Sequence, residues 1–128
     1  MTSPSTLKRY RRALQGLRSE CPLLLPVRVV LSRRRPPRPG RSSYGAAHWA
    51  GWSTIVEDQN SFRIVVRTHV YERGGQRCRR MHGSEIVETL IHEWAHCMAW
   101  TSDHAELEDH GPAWGVAYAK CYRAIIED

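Results

Sequence analysis

The sequence lacks the features that mark membrane-spanning and secreted proteins. None of its apolar runs approaches the roughly 20 residues needed to span a bilayer, and the longest, Pro22 to Leu31, is interrupted by Pro26 and Arg28. The opening residues, MTSPSTLKRYRRAL, contain no apolar stretch of the secretory-signal type. We therefore expect a cytoplasmic protein that has no membrane partner, and its 128 residues fit a single domain over residues 1–128.

Cysteine is scarce and widely spaced. None of the four cysteines forms a C-x-x-C pair, so the sequence indicates neither a zinc ribbon nor a thioredoxin-type redox pair. In a reducing cytosol we expect free, partly buried thiols. The four are Cys21, Cys78, Cys97 and Cys121.

Acidic residues are rare in the first 80 positions, where 17 Lys or Arg stand against 4 Asp or Glu. From Met81 onward the balance reverses, with 2 basic against 9 acidic residues. Two interpretations of the basic half stay open: solvated arginines that keep the protein soluble, or contacts to the phosphates of single-stranded or damaged DNA, which would make the protein nucleoid-associated. The arginines concerned lie in the exposed loop SRRRPPRPGRSS and near residue 80: Arg33, Arg34, Arg35, Arg38, Arg41, Arg77, Arg79 and Arg80. Trp49 and Trp52 could stack on unpaired bases, although a core position is favoured for both.

Hydrophobic periodicity predicts an α+β fold. A first helix, capped by Ser3 or Ser5, runs to about Ser19. Strands are predicted over three segments, Val27–Ser32, Ala47–Ile55 and Phe62–Tyr71. A largely buried second helix begins at Gly83 or Ser84, with Ser84 as its N-cap, and ends near Trp100, and a last helix opens at Pro112.

The second helix contains the motif HEWAH. His92 and His96 are four residues apart, so both imidazoles lie on one helical face and can bind a single ion, and Glu93 can reach a water on that ion. An unpaired carboxylate in so apolar a helix would be costly, and a metal with its water removes that cost. Imidazole ligands favour zinc among the late transition metals.

A catalytic zinc needs a third protein ligand and an open position for water. His48, His69, His82, His104 and His110 all compete for this role. His110 is best placed, because the last helix must pack on the metal helix and would bring its own N-terminus to the site. His104, in the polar segment before it, is the second choice and could instead stabilise an oxyanion.

The run HEWAHCMAWTSDHAELEDHGPAW, His92 to Trp114, resembles the SprT-like metalloproteases, a family that includes Spartan. Their pattern is HExxH, a variable polar loop, and a histidine in an HGxxF or HGPxF box that opens a helix. His92, Glu93, His96 and His110 match it, and Trp114 stands where Phe is usual. The resemblance covers the C-terminal third of the chain.

The resemblance implies a minimal zincin-like domain with an N-terminal helix, a sheet of about three strands, the HExxH helix and a C-terminal helix. It implies one zinc ion, hydrolysis of protein or peptide substrates bound along an edge strand, and in several members substrates crosslinked to DNA. Many members carry a C-terminal zinc ribbon or DNA-binding region that this sequence does not show, so DNA contact would fall to the domain itself.

The expected reaction is hydrolysis of a peptide bond, with Glu93 as the general base for the attacking water. A second oxyanion donor is needed, for which His104 and Tyr118 are the candidates, and Phe62–Tyr71 is the expected edge strand for the substrate. Two other functions stay open: a noncatalytic zinc-containing nucleic-acid-binding module, and a protease of narrow specificity that cleaves one regulatory protein.

Overall fold

The computed structural model describes residues 2–36, 50–71, 77–100 and 110–126. Over these ranges the chain has the predicted α+β architecture, with three helices and a small mixed sheet of three strands. The elements in chain order are α1 (Pro4–Glu20), β1 (Val27–Ser32), β2 (Gly51–Val56), β3 (Ser61–Arg67), β4 (His69–Tyr71), β5 (Cys78–Arg80), α2 (Gly83–Ala99) and α3 (Pro112–Ile125). Within the described ranges, the helices are too short or too polar to cross a bilayer.

Helix α1 begins and ends almost where the sequence predicts. The Ser3 hydroxyl accepts a hydrogen bond from the Thr6 N–H at 3.2 Å, and the following proline occupies the first turn. Tyr10 and Leu17 are buried. Just beyond the helix, the Cys21 carbonyl accepts a hydrogen bond from the Trp94 indole at 2.8 Å, which ties the end of α1 to α2.

The three-stranded sheet has the order β1-β3-β2, with β1 parallel and β2 antiparallel to β3. The central position of β3 makes the prediction of an edge strand at Phe62–Tyr71 wrong. The prediction of one continuous strand there is also wrong, because Thr68 interrupts it: its N–H donates to the Ser32 carbonyl at 3.0 Å and its carbonyl accepts from Met81 at 2.8 Å. Beyond Thr68, β4 pairs with β5 in a separate two-stranded sheet.

The two faces of the sheet differ in what they contact. Phe62, Ile64 and Val66 of β3 are fully buried in the core shared with the helices. Trp52 pairs with Val65 in the register and so lies on the opposite face, where the Arg67 guanidinium sits 4.9 Å from the centre of its half-buried ring. The core position favoured for Trp52 is therefore wrong, and Trp49 lies outside the described residues.

Helix α2 is the buried helix that the sequence predicts, but its N-cap is His82 instead of Ser84. The reason is a capping box: the Glu85 carboxylate accepts a hydrogen bond from the His82 N–H at 3.0 Å. The Arg79 guanidinium holds the same carboxylate through two bonds of 2.8 and 3.0 Å. Helix α2 ends at Ala99, as expected, and α3 begins with Pro112 and packs along α2.

The four cysteines are free thiols, as predicted. Cys21, Cys97 and Cys121 are buried and Cys78 is half-buried. Burial raises the pKa of the Cys121 thiol, and the neighbouring Cys21 raises it further. The Cys121 thiol therefore stays protonated and packs as a small apolar group.

Candidate metal centre

Three imidazoles converge where the middle of α2 meets the start of α3. The Nε2 atoms of His92 and His96 lie 3.2 Å apart, and the Nε2 atom of His110 lies 3.1 Å from the first and 3.2 Å from the second. His96 is buried, His92 is half-buried and His110 is exposed. The structure thus brings together the two histidines of the motif and the one that the sequence favours as third ligand.

The spacing of these nitrogens fits a shared metal ion better than it fits hydrogen bonds. Each ring carries at most one hydrogen on Nε2, directed outward from the ring, so three mutual contacts of this length cannot all be well-aligned hydrogen bonds. A tetrahedral zinc with Zn–N bonds of 2.0–2.1 Å holds its nitrogen ligands about 3.3–3.4 Å apart. The observed triangle has nearly this size, and its three donors suit a late transition metal.

Trp114 packs against all three histidines. Its ring centre lies 5.0 Å from that of His92, 5.5 Å from that of His96 and 4.8 Å from that of His110. Its indole N–H donates to the His92 carbonyl at 3.3 Å. Trp114 therefore supports the orientation of the three rings, a role that was not predicted from the sequence.

The Glu93 carboxylate is held inside the protein by a residue that sequence reasoning missed. Glu93 is 5% exposed, which confirms that it is not an ordinary surface carboxylate. The Ser53 hydroxyl, itself buried, donates to Glu93 Oε1 at 2.9 Å. A serine in a predicted strand carries no signal of this contact, because the contact depends on which face of β2 is turned towards α2.

Gly51 allows β2 to approach α2 closely enough for this contact. A Cβ atom at this position would lie 2.7 Å from the Val65 carbonyl oxygen and 2.8 Å from the Thr89 side chain. Both separations are below normal van der Waals contact, and one of the two atoms belongs to the backbone. A side chain here would push β2 away from α2 and carry Ser53 with it.

A cavity of about 990 Å³ opens beside the histidines. One wall is the strand segment from Ala50 to Thr54, and the other includes His92, Glu93, His110 and Tyr118. In the described part of the chain, no strand pairs with the far edge of β2. An extended peptide could therefore reach backbone N–H and C=O groups beside the three imidazoles.

Tyr118 borders this cavity, with its ring 6.4 Å from that of His92. Burial raises the pKa of the Tyr118 hydroxyl, and the negative charge of Glu88 and the nearby Tyr122 raise it further. The hydroxyl is therefore a protonated donor at neutral pH. His104, the other predicted oxyanion donor, lies outside the described residues.

His69 and His82 stand apart from the centre. The Nδ1 atom of His69 lies 2.8 Å from the Thr68 hydroxyl, and His82 caps α2. Neither belongs to the group of three converging donors. His48 lies outside the described residues.

The predicted phosphate-contacting arginines divide into three groups. Arg33, Arg34 and Arg35 are exposed after β1, and Arg77 is exposed just before β5. Arg79 is bound to Glu85, which neutralises part of its charge, and Arg80 follows it in β5. Arg38 and Arg41 lie outside the described residues.

No protein-family model, curated protein or solved structure matches the chain. The geometry of the centre therefore carries the functional argument.

Proposed function

We propose that this protein is a zinc-dependent metallopeptidase with a zincin-like fold, of the SprT-like kind. The observation that carries the proposal is the juxtaposition of three imidazole Nε2 atoms 3.1–3.2 Å apart with a buried, serine-bound glutamate at the open edge of a sheet. A structural metal site closed by four protein ligands has no use for such a carboxylate.

His92, His96 and His110 would hold the ion. When bound, zinc supplies Lewis acidity, which polarises a carbonyl oxygen and lowers the pKa of water to about 7. Glu93 is the general base that accepts the proton of the attacking water and passes it to the leaving amine. The Ser53 hydroxyl keeps one carboxylate oxygen of Glu93 in place during both transfers, because its 2.9 Å bond is buried beside the cavity.

The substrate is a protein segment that adds to β2 in an extended conformation. Main-chain hydrogen bonds to β2 would align the scissile carbonyl beside the histidines with little dependence on side chains. This assigns to β2 the edge-strand role that the sequence analysis expected for Phe62–Tyr71. The Tyr118 hydroxyl, on the other wall of the cavity, is the donor in the described part of the chain that would face a developing oxyanion.

Cleavage of a protein substrate by matched variants tests the proposal. Wild type and Glu93→Gln, both loaded with zinc, are incubated with an unfolded protein and with a DNA-binding protein, each with and without single-stranded DNA. The glutamine is nearly isosteric but is a far weaker base, so it should retain the metal and lose cleavage. Stimulation by DNA would give the exposed arginines the polyanion-binding role.

Absence of cleavage would refute the proposal. If zinc is bound stoichiometrically and neither protein cleaves any substrate under either condition, the general peptidase proposal fails. The noncatalytic module and the narrow-specificity protease then replace it. Cleavage by Glu93→Gln equal to that of wild type would contradict the role of Glu93 alone.

A further inference from the structure

The cavity beside the three histidines extends along α2 towards the N-terminus of that helix. Its α2 wall includes Glu85 and Glu88 as well as His92 and Glu93. Glu88 and His92 are four residues apart, so they lie on one helical face, about 6 Å apart along the axis. The cavity therefore reaches about one helical turn beyond the candidate metal centre.

Strand β2 follows the same wall. The Ser53 hydroxyl donates to Glu93, and a Cβ at Gly51 would lie 2.8 Å from the Thr89 side chain. Here β2 and α2 therefore run side by side in the same direction, with Gly51 near the level of Glu88 and Thr89. A peptide that pairs with the open edge of β2 beside the histidines would also pass Glu88.

The carboxylates of the cavity wall differ in whether the protein already holds them. Glu93 accepts the hydrogen bond from Ser53, and Glu85 binds Arg79 through two hydrogen bonds. Glu88 is exposed, and within the described ranges its side chain forms no hydrogen bond or ion pair. None of the described residues that line the cavity is a lysine or an arginine. Glu88 therefore offers the cavity a negative charge that a substrate can neutralise.

Tyr118 lies near Glu88 on the α3 side of the cavity. The pKa of the Tyr118 hydroxyl is raised first by burial and then by the negative charge of Glu88, so the two side chains are close. The half-buried Tyr118 ring lines the cavity. A long basic side chain can lay its aliphatic part against such a ring and place its charged end beside a carboxylate. Together the two residues favour a positively charged group over a neutral or acidic one.

We propose that Glu88 is a specificity-determining residue that selects lysine or arginine in the substrate, on one side of the scissile bond. The inference rests on the peptidase function proposed above and adds to it the class of side chain that the cavity takes. An extended chain advances about 3.3 Å per residue, so one helical turn corresponds to about two residues of substrate. The basic residue should therefore lie within about three residues of the cleaved bond. Because Glu88 stands to one side of the histidines along β2, the preference should fall on that side only.

Mapping of the cleavage sites in a library of N-acetylated peptides tests the selection, because acetylation removes the competing charge of a free amino terminus. Zinc-loaded wild type should prefer lysine or arginine about two- to fivefold at one position, the range expected for an exposed ion pair. Glu88→Gln should lose this preference, and Glu88→Lys should reverse it in favour of aspartate and glutamate. Glu20→Gln removes an exposed carboxylate at the end of α1, outside the cavity, and should keep the wild-type profile.

Two cleavage profiles would overturn the inference and leave the peptidase intact. One is cleavage in which wild type and Glu88→Gln show the same preference, or none, for basic residues. The other is an equal preference on both sides of the scissile bond, which would indicate a general electrostatic attraction instead of a positioned carboxylate.

A binding measurement covers the case in which no peptide is cleaved, a result that would refute the peptidase function itself. The zinc-loaded Glu93→Gln chain, with and without Glu88→Gln, is titrated with an acetylated peptide that contains one lysine, and with the same peptide containing norleucine instead. Tighter binding of the lysine peptide that Glu88→Gln abolishes would support selection by Glu88 without catalysis. Equal binding of the two peptides, or binding of neither, would overturn it.

Discussion

Replacement of Ser53 by alanine removes one hydrogen bond and leaves the three converging histidines untouched. The bond is 2.9 Å long and joins a hydroxyl and a carboxylate that are both buried, so water cannot readily replace it. A hydrogen bond to a charged group is worth about 1.5–3 kcal/mol. If Glu93 needs this bond to hold its position in the transition state, kcat should fall about 10- to 150-fold.

The assay compares steady-state kinetics of Ser53→Ala, Ser53→Thr and Ser61→Ala, with zinc content measured in each sample. Ser53→Ala should lose kcat with little change in KM, because the hydroxyl acts on the base and not on the substrate backbone. Ser53→Thr keeps the hydroxyl and should recover most of the rate. Ser61→Ala, at the far end of the sheet, controls for a general loss of a strand serine.

Two results would refute this reasoning. Full kcat in Ser53→Ala would show that Glu93 does not need the hydroxyl. Loss of zinc in Ser53→Ala would show that Ser53 stabilises the metal helix rather than the base. Either result leaves the three-histidine site itself intact as a hypothesis.

Three further predictions follow from contacts around the centre. Gly51→Ala should destabilise the protein by about 1–3 kcal/mol through overpacking. Gly115→Ala, whose Cβ would meet no atom within 4 Å, should instead stabilise α3 by up to about 1 kcal/mol. Urea unfolding measures both free energies, and equal effects of the two substitutions would contradict the close approach of β2 to α2. Trp114→Ala should weaken zinc binding about 10- to 100-fold, as the loss of a contact that supports metal ligands does. Competition with a chelator measures this affinity, and a wild-type value would show that Trp114 does not support the three histidines. The pKa of Glu85 in the folded protein lies below its ordinary 4.5 mainly because Arg79 binds the carboxylate. The stabilisation from this pair is therefore fully present above pH 4.5 and is lost as the pH falls through the pKa of the folded state. Glu85→Gln should therefore flatten the fall of Tm in acid, and an unchanged Tm–pH profile would argue against a role for the pair.

The histidines were predictable from the sequence because their positions depend mainly on local rules. His92 and His96 share a helical face through the period of the helix, and Gly111-Pro112 marks a helix start that places His110 next to them. The apolar residues around it in the helix likewise predicted that Glu93 is buried.

Contacts that depend on register between distant segments could not be predicted. Ser53 meets Glu93 across 40 positions of sequence, only because β2 pairs antiparallel with β3 in one register. A shift of one residue would direct Trp52 towards α2 instead. The edge position of β2, and the break at Thr68 that frees β4, likewise follow from pairing choices that periodicity alone does not determine.

The open edge of β2 also bears on the behaviour of the protein in concentrated solution. The strand reads GWSTIV and contains neither a charged residue nor a proline, the devices by which exposed edges usually resist pairing with a second copy. Across the described residues, no other strand covers that edge. An edge that could bind the backbone of a substrate, as proposed, could also bind the backbone of a neighbouring molecule. If the proposed activity holds, self-association at this strand would compete with substrate. Specific activity should then decline as protein concentration rises, and peptides that extend along the strand should both inhibit cleavage and keep the protein monomeric.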